Sequence, residues 1–122
     1  MALAKIRTIV LDCPDPRALA DFYAQLLGGE VGGDPDADWV DLFTDGLRLS
    51  FQRAPGFVAP RWPSPEHSQQ IHLDLDVDDM EARERDVLAL GATALDLADD
   101  GGKRDFRVYA DPVGHPFCFI RP

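Results

Sequence analysis

The sequence predicts an α+β fold in which two tandem βαβββ modules form a curved mixed sheet, with a cleft on one side and the helices on the outer face. Three observations carry this. Gln70 to Ala92 reads without interruption as a strand, a helix start and a helix stop; Lys5 to Leu27 repeats the same order; and each is followed by short strand-like segments separated by turn residues. The predicted first module spans 5–52, the connection 53–69 and the second module 70–121, within a single domain over 1–122.

In the first module, Ile9, Leu11 and Cys13 alternate with Thr8, Val10 and Asp12, the period of a half-buried strand. Asp15 followed by Pro16 is a helix N-cap with proline at the first helical position. Leu19, Phe22, Tyr23, Leu26 and Leu27 then recur at helical spacing until Gly28 and Gly29 stop the helix. Glu30 to Gly33 and Trp39 to Thr44 read as strands, and Asp45-Gly46 is a tight hairpin before Leu47 to Gln52. The connection, Arg53 to Gln69, holds four prolines and can be neither a central strand nor an unbroken helix.

In the second module, Ile71, Leu73, Leu75 and Val77 alternate with His72, Asp74 and Asp76, so that one strand face packs and the other is chemically equipped. Asp78 or Asp79 offers an N-cap oxygen, and Glu81 suits the positive first turn. Met80, Val87, Leu88 and Leu90 make an apolar stripe that ends at Gly91, while Glu81, Arg83, Glu84, Arg85 and Asp86 read as a charged, solvated face. Strands are predicted over Thr93 to Ala98, Arg104 to Ala110 and Phe117 to Ile120, with His115 in a turn.

The halves superpose: Thr8 to Cys13 lies over His72 to Val77, and Gly46 to Phe51 over Gly114 to Phe119. Thr8 therefore pairs with His72 and Ser50 with Cys118, and alternation places these four on the face away from the helices. Gln52 shares the face of Ser50 and can both donate and accept. Trp62, in the connection, is a candidate lid that stacks on a ligand or an anchor that fixes the loop. Asp74 and Asp76 stand where they can orient His72 or bind a cation.

Composition narrows the function. The chain has 22 acidic against 12 basic residues, a net charge of −10, which repels nucleic acid and anionic membranes alike. No segment approaches the roughly 20 apolar residues of a membrane span, and the N-terminal apolar run is too short for a signal peptide, so a cytoplasmic location is expected. Cys13 and Cys118 are expected to be reduced, buried thiols.

The stretches TIVLDCPDPRALADFYAQLLGG, RWPSPEHSQQIHLDLDVDD and DPVGHPFCFI cover nearly the whole chain between them. In these the sequence resembles the vicinal oxygen chelate superfamily, the group of glyoxalases, bleomycin-resistance proteins and extradiol dioxygenases, and within it the small glyoxalase-like domain proteins of bacteria. The resemblance implies paired βαβββ modules around a cleft, often dimerisation, and in the enzymatic branches a divalent metal chelating neighbouring substrate oxygens. It places the metal-ligand slots, a His in the first strand of a module and a Glu in the last, at Thr8, Ser50, His72 and Cys118. Only His72 matches. Neutral hydroxyls compete weakly with water for a cation, and Cys118 substitutes a soft sulfur for a hard carboxylate.

The leading expectation is a homodimer that binds a small organic ligand through Thr8, Ser50, Gln52, Trp62, His72 and Cys118, with no cofactor and without the usual complete metal site. The rival is a lyase, isomerase or dioxygenase in which His72 is a base or the ligand of a divalent metal (Zn, Ni, Mn or Fe), joined by Cys118 if a metal is present. A third reading is an accessory module with a vestigial cleft.

Overall fold

The computed structural model describes residues 2–122, which divide into two compact units, the first ending at Phe57 and the second spanning Val58–Pro122. Each unit is a four-stranded mixed sheet with one α-helix, so the chain is α+β and consists of two βαβββ modules in tandem.

The first unit runs β1 (Ile9–Cys13), α1 (Pro16–Leu27), β2 (Glu30–Gly32), β3 (Trp39–Thr44) and β4 (Leu47–Arg53), with spatial order β1-β4-β3-β2. β1 is parallel to β4, while β3 is antiparallel to both β4 and β2. α1 begins where Asp15 accepts a hydrogen bond from the Ala18 amide at 3.3 Å, with Pro16 in the first turn. The β3–β4 hairpin closes through Asp45-Gly46, where Gly46 supplies the φ of +71° that a side chain would resist. Leu49, Phe51, Leu42 and Val40 form the buried sheet face, and Tyr23 of α1 stacks on Phe51 at 5.7 Å between ring centroids.

The second unit repeats the pattern: β5 (Leu73–Asp76), α2 (Met80–Ala89), β6 (Thr93–Asp96), β7 (Phe106–Ala110) and β8 (Pro116–Ile120), in spatial order β5-β8-β7-β6. A 3-10 turn at Asp100–Gly102 lies between β6 and β7. Asp79 caps α2 by accepting from the Ala82 amide at 3.1 Å. Tyr109, Phe117 and Phe119 make the aromatic core, with Met80 and Val87 of α2 buried in the same unit.

The repeat extends to strand register. Ile9 lies opposite Leu49 and Val10 opposite Ser50; Leu73 lies opposite Phe117 and Asp74 opposite Cys118, as the sequence superposition requires. The differences are at strand ends. The predicted first strands are shorter than their alternation, because the ladder begins only at Ile9 and Leu73, leaving Thr8 and His72 just outside it. β6 ends at Asp96, whose side chain accepts from the Ala98 amide at 3.0 Å and turns the chain.

Candidate functional site

In the second unit, pairing across three strands creates rows of side chains that share a face. Asp74, Cys118 and Val108 form one row, and Asp76, Ile120 and Phe106 another. The row between them, Leu75, Phe119 and Arg107, points to the opposite face, where Arg107 meets Glu84 of α2 at 3.1 Å. The face away from α2 is thus built from a carboxylate row, a thiol and apolar side chains. It floors a cavity of about 650 Å³, lined also by Trp62 from the connection, His72 and Asp105.

His72 stands just before β5 with Nε2 3.0 Å from Oδ1 of Asp74. Both are exposed, whereas Cys118 is buried in the middle of β8. Burial pushes the Cys118 thiol up to about 11, and the hydrogen-bonded carboxylate of Asp74 adds to the rise by disfavouring a neighbouring thiolate. A thiol held in its neutral form is a poor nucleophile. The donor atoms of His72, Asp74 and Cys118 all lie within 4.8 Å of one another.

The corresponding face of the first unit is engaged differently. The Thr8 and Ser50 hydroxyls are 2.7 Å apart, Ser50 donates to Asp41 at 2.6 Å, and the Trp39 indole donates to the same carboxylate oxygen at 2.9 Å. Ser50 is wholly buried, and Gln52, two residues further along β4, is exposed. Of the six predicted ligand-binding residues, Trp62, His72 and Cys118 come together on one cavity, while Thr8 and Ser50 are bonded to each other in the first unit.

This arrangement tests the four ligand slots implied by the resemblance. Two are neutral hydroxyls already satisfied by protein partners, and a third offers a soft sulfur, so the hard-cation donor set does not fit these residues. Asp74 was foreseen beside His72; its place opposite Cys118 was set by strand register. Asp105, Phe106, Val108 and Ile120 were missed as cavity residues. Alternation along Arg104 to Ala110 grouped Phe106 with Val108, yet only pairing with β8 put them beside Cys118.

The glyoxalase-like domain profile matches residues 8–120, almost the full length. The chain belongs to the glyoxalase-like domain family. Among curated proteins, none matches it in sequence. Its fold is that of a glyoxalase/bleomycin resistance protein/dioxygenase family enzyme from Burkholderia phytofirmans, with a TM-score of 0.72, 18% identity and coverage of 97% of this chain and 98% of that one. It also matches a glyoxalase-related enzyme from Fulvimarina pelagi, at TM-score 0.69, 19% identity and coverage of 98% and 89%. A fosfomycin resistance protein from Mesorhizobium loti superposes at TM-score 0.71 with 9% identity, covering 98% of this chain and 92% of its own. Likeness at these identities is a likeness of fold. This member of the family has no helix among its described residues long and apolar enough to cross a membrane.

Proposed function

We propose that this glyoxalase-like protein binds a small organic ligand in the cavity of its second unit, without the usual four-donor metal site. The observation that carries the reading is the cavity itself. Its volume of about 650 Å³ falls within the range of roughly 300–1,000 Å³ of small-molecule sites. Its walls combine Trp62, Phe106, Val108 and Ile120 with polar groups, His72, the Cys118 thiol and the carboxylates of Asp74, Asp76 and Asp105. The apolar side chains supply contact area and the polar ones fix orientation. Trp62 is then a wall of the site. Similarity of fold to a fosfomycin resistance protein is compatible with a protein that handles a small molecule. The reading rests on Trp62, His72 and Cys118; Gln52 is an exposed residue of β4 in the first unit, where Thr8 and Ser50 support their own sheet.

The test is a thermal-shift screen of small polar-aromatic compounds, followed by calorimetry on the hits. One-to-one binding, weakened about tenfold by Trp62→Ala through loss of stacking, is the expected result. Binding that neither Trp62→Ala nor His72→Ala alters would remove the cavity from consideration. So would a screen without a single hit.

The 3.0 Å contact of His72 with Asp74 favours one second reading, an enzyme acting on vicinal oxygens, because a carboxylate that orients an imidazole equips it as a base. If compounds that bind are consumed by the wild type and left intact by His72→Ala, this reading takes precedence. If they are recovered unchanged, it fails.

A further inference from the structure

We propose that the cavity of the second unit takes an organic cation, a protonated amine carried on an apolar or aromatic body, which rests on the organic-ligand reading above and names the chemical class of that ligand.

Strand register sets the charge of the cavity wall. Asp74 and Asp76 are alternate residues of β5, so both side chains leave the face away from α2, opposite Cys118 and Ile120 on the parallel neighbour β8. Asp105, immediately before β7, lines the same cavity next to Phe106. All three of these carboxylates are exposed. Asp74 is met by His72 at 3.0 Å, whereas the side chains of Asp76 and Asp105 enter no ion pair or hydrogen bond among the described residues. Among the described residues that line the cavity there is neither a lysine nor an arginine. Arg104 lies over the Phe106 ring at 4.3 Å, and Asp96 already accepts from its guanidinium at 3.1 and 3.3 Å. Cys118 keeps its proton, so the negative charge of the wall belongs to the carboxylates.

The remaining wall suits the rest of such a ligand. A primary ammonium offers three N–H donors, and carboxylates are acceptors only, so the two match without a second hydrogen-bonding group on the ligand. Trp62 supplies an indole face, whose quadrupole attracts a cation and whose area stacks on a ring. Val108 and Ile120 receive the apolar body, and the water it displaces lowers the local dielectric in which ammonium and carboxylate attract. An anion meets the same carboxylates as repulsion, and a neutral alcohol gains neither the ion pair nor the cation–π contact.

The chain's net charge of −10 also draws cations to its surface as a whole, so the experiment separates wall from surface. The full chain, in buffer containing a chelator, is titrated by calorimetry with matched triplets that share one body and differ in the end group: tryptamine, tryptophol and indoleacetate, then phenethylamine, phenethyl alcohol and phenylacetate. Expected is one amine per chain, bound about tenfold more tightly than its alcohol, with the acid weaker still. Asp76→Asn and Asp105→Asn should each weaken the amine about threefold and leave the alcohol unchanged. Both positions are exposed, and circular dichroism verifies that each variant is folded. Asp36→Asn, at an exposed carboxylate of the first unit, removes the same charge away from the cavity and should leave amine binding unchanged. Amine binding that ignores both cavity variants, or that falls equally with Asp36→Asn, overturns the proposal. Alcohols or acids that bind as tightly as the amines, and are weakened by Trp62→Ala, overturn the cation and leave the organic-ligand reading standing. Triplets that do not bind at all overturn the cation, while the wider compound screen still decides the organic-ligand reading.

Discussion

At one pair of equivalent positions a single atom separates the two halves of this molecule. At equivalent positions of β4 and β8 stand Ser50 and Cys118, an oxygen and a sulfur on nearly the same scaffold. The Ser50 hydroxyl is buried, donates to Asp41 and meets Thr8, so this position is occupied with holding β4 to β3. Replacing it by alanine leaves Asp41 with one donor fewer in a half-buried setting. Ser50→Ala should lower unfolding free energy by about 1–2 kcal/mol, read from urea denaturation at an unchanged m-value. A neutral effect would mean that the hydroxyl network is not structural. Cys118 has Asp74 as its polar neighbour, and burial together with that carboxylate keeps its proton on.

At the scale of elements, α2 is the departure from expectation. Its charged residues read as one solvated face, but Glu84 turns inward, accepting from the Tyr109 hydroxyl at 2.8 Å and from Arg107 at 3.1 Å. Burial is the larger cause of the raised Tyr109 pKa, and the Glu84 contact adds to it, so the phenol stays protonated as a donor. Only Met80 and Val87 of the helix are buried, so these polar contacts do much of the docking. Glu84→Ala removes the acceptor of a buried hydroxyl and one partner of a largely buried guanidinium, an expected loss of about 1–3 kcal/mol. Glu81→Ala, at an exposed position on the same helix, should have a much smaller effect on the same denaturation curve. Equal effects would place the docking elsewhere.

For the molecule as a whole, the arginine–carboxylate cluster predicts acid sensitivity. Hydrogen bonds from Arg121 and then Arg107 lower the Asp99 carboxyl from 3.8 to about 2; Arg121 also lowers Glu81, and Arg104 lowers Asp96. A carboxyl whose pKa falls on folding binds fewer protons in the native state than in the unfolded chain. Its stabilising contribution is complete above the ordinary carboxylate range and is lost as pH drops toward 2. Thermal melts of the wild type should therefore fall between about pH 4 and pH 2, and Asp99→Asn should flatten that slope while lowering stability at neutral pH. An unchanged slope would remove Asp99 as its origin. Assembly belongs to this scale too. β1 and β5 are terminal strands of their sheets, with Val10 and Ile71 exposed on and beside them, and a second copy is proposed as a partner. Light scattering at micromolar concentration should give twice the chain mass; a monomer there would remove the homodimer.

What the sequence determined by itself is whatever local periodicity encodes. Asp15-Pro16 and Gly28-Gly29 bounded α1, Asp45-Gly46 fixed a hairpin, and the shared spacing of the halves revealed the duplication, because caps, turns and alternation act over a few residues. Alternation likewise put His72 with Asp74, and the superposition paired Ser50 with Cys118. Tertiary structure decided what these residues meet. That Asp74 faces Cys118, that Phe106 and Val108 share their cavity, that Ser50 is sealed by Asp41 and that Glu84 turns inward all depend on strand register and helix docking. Such contacts join positions far apart in the chain, and no local period records the partner.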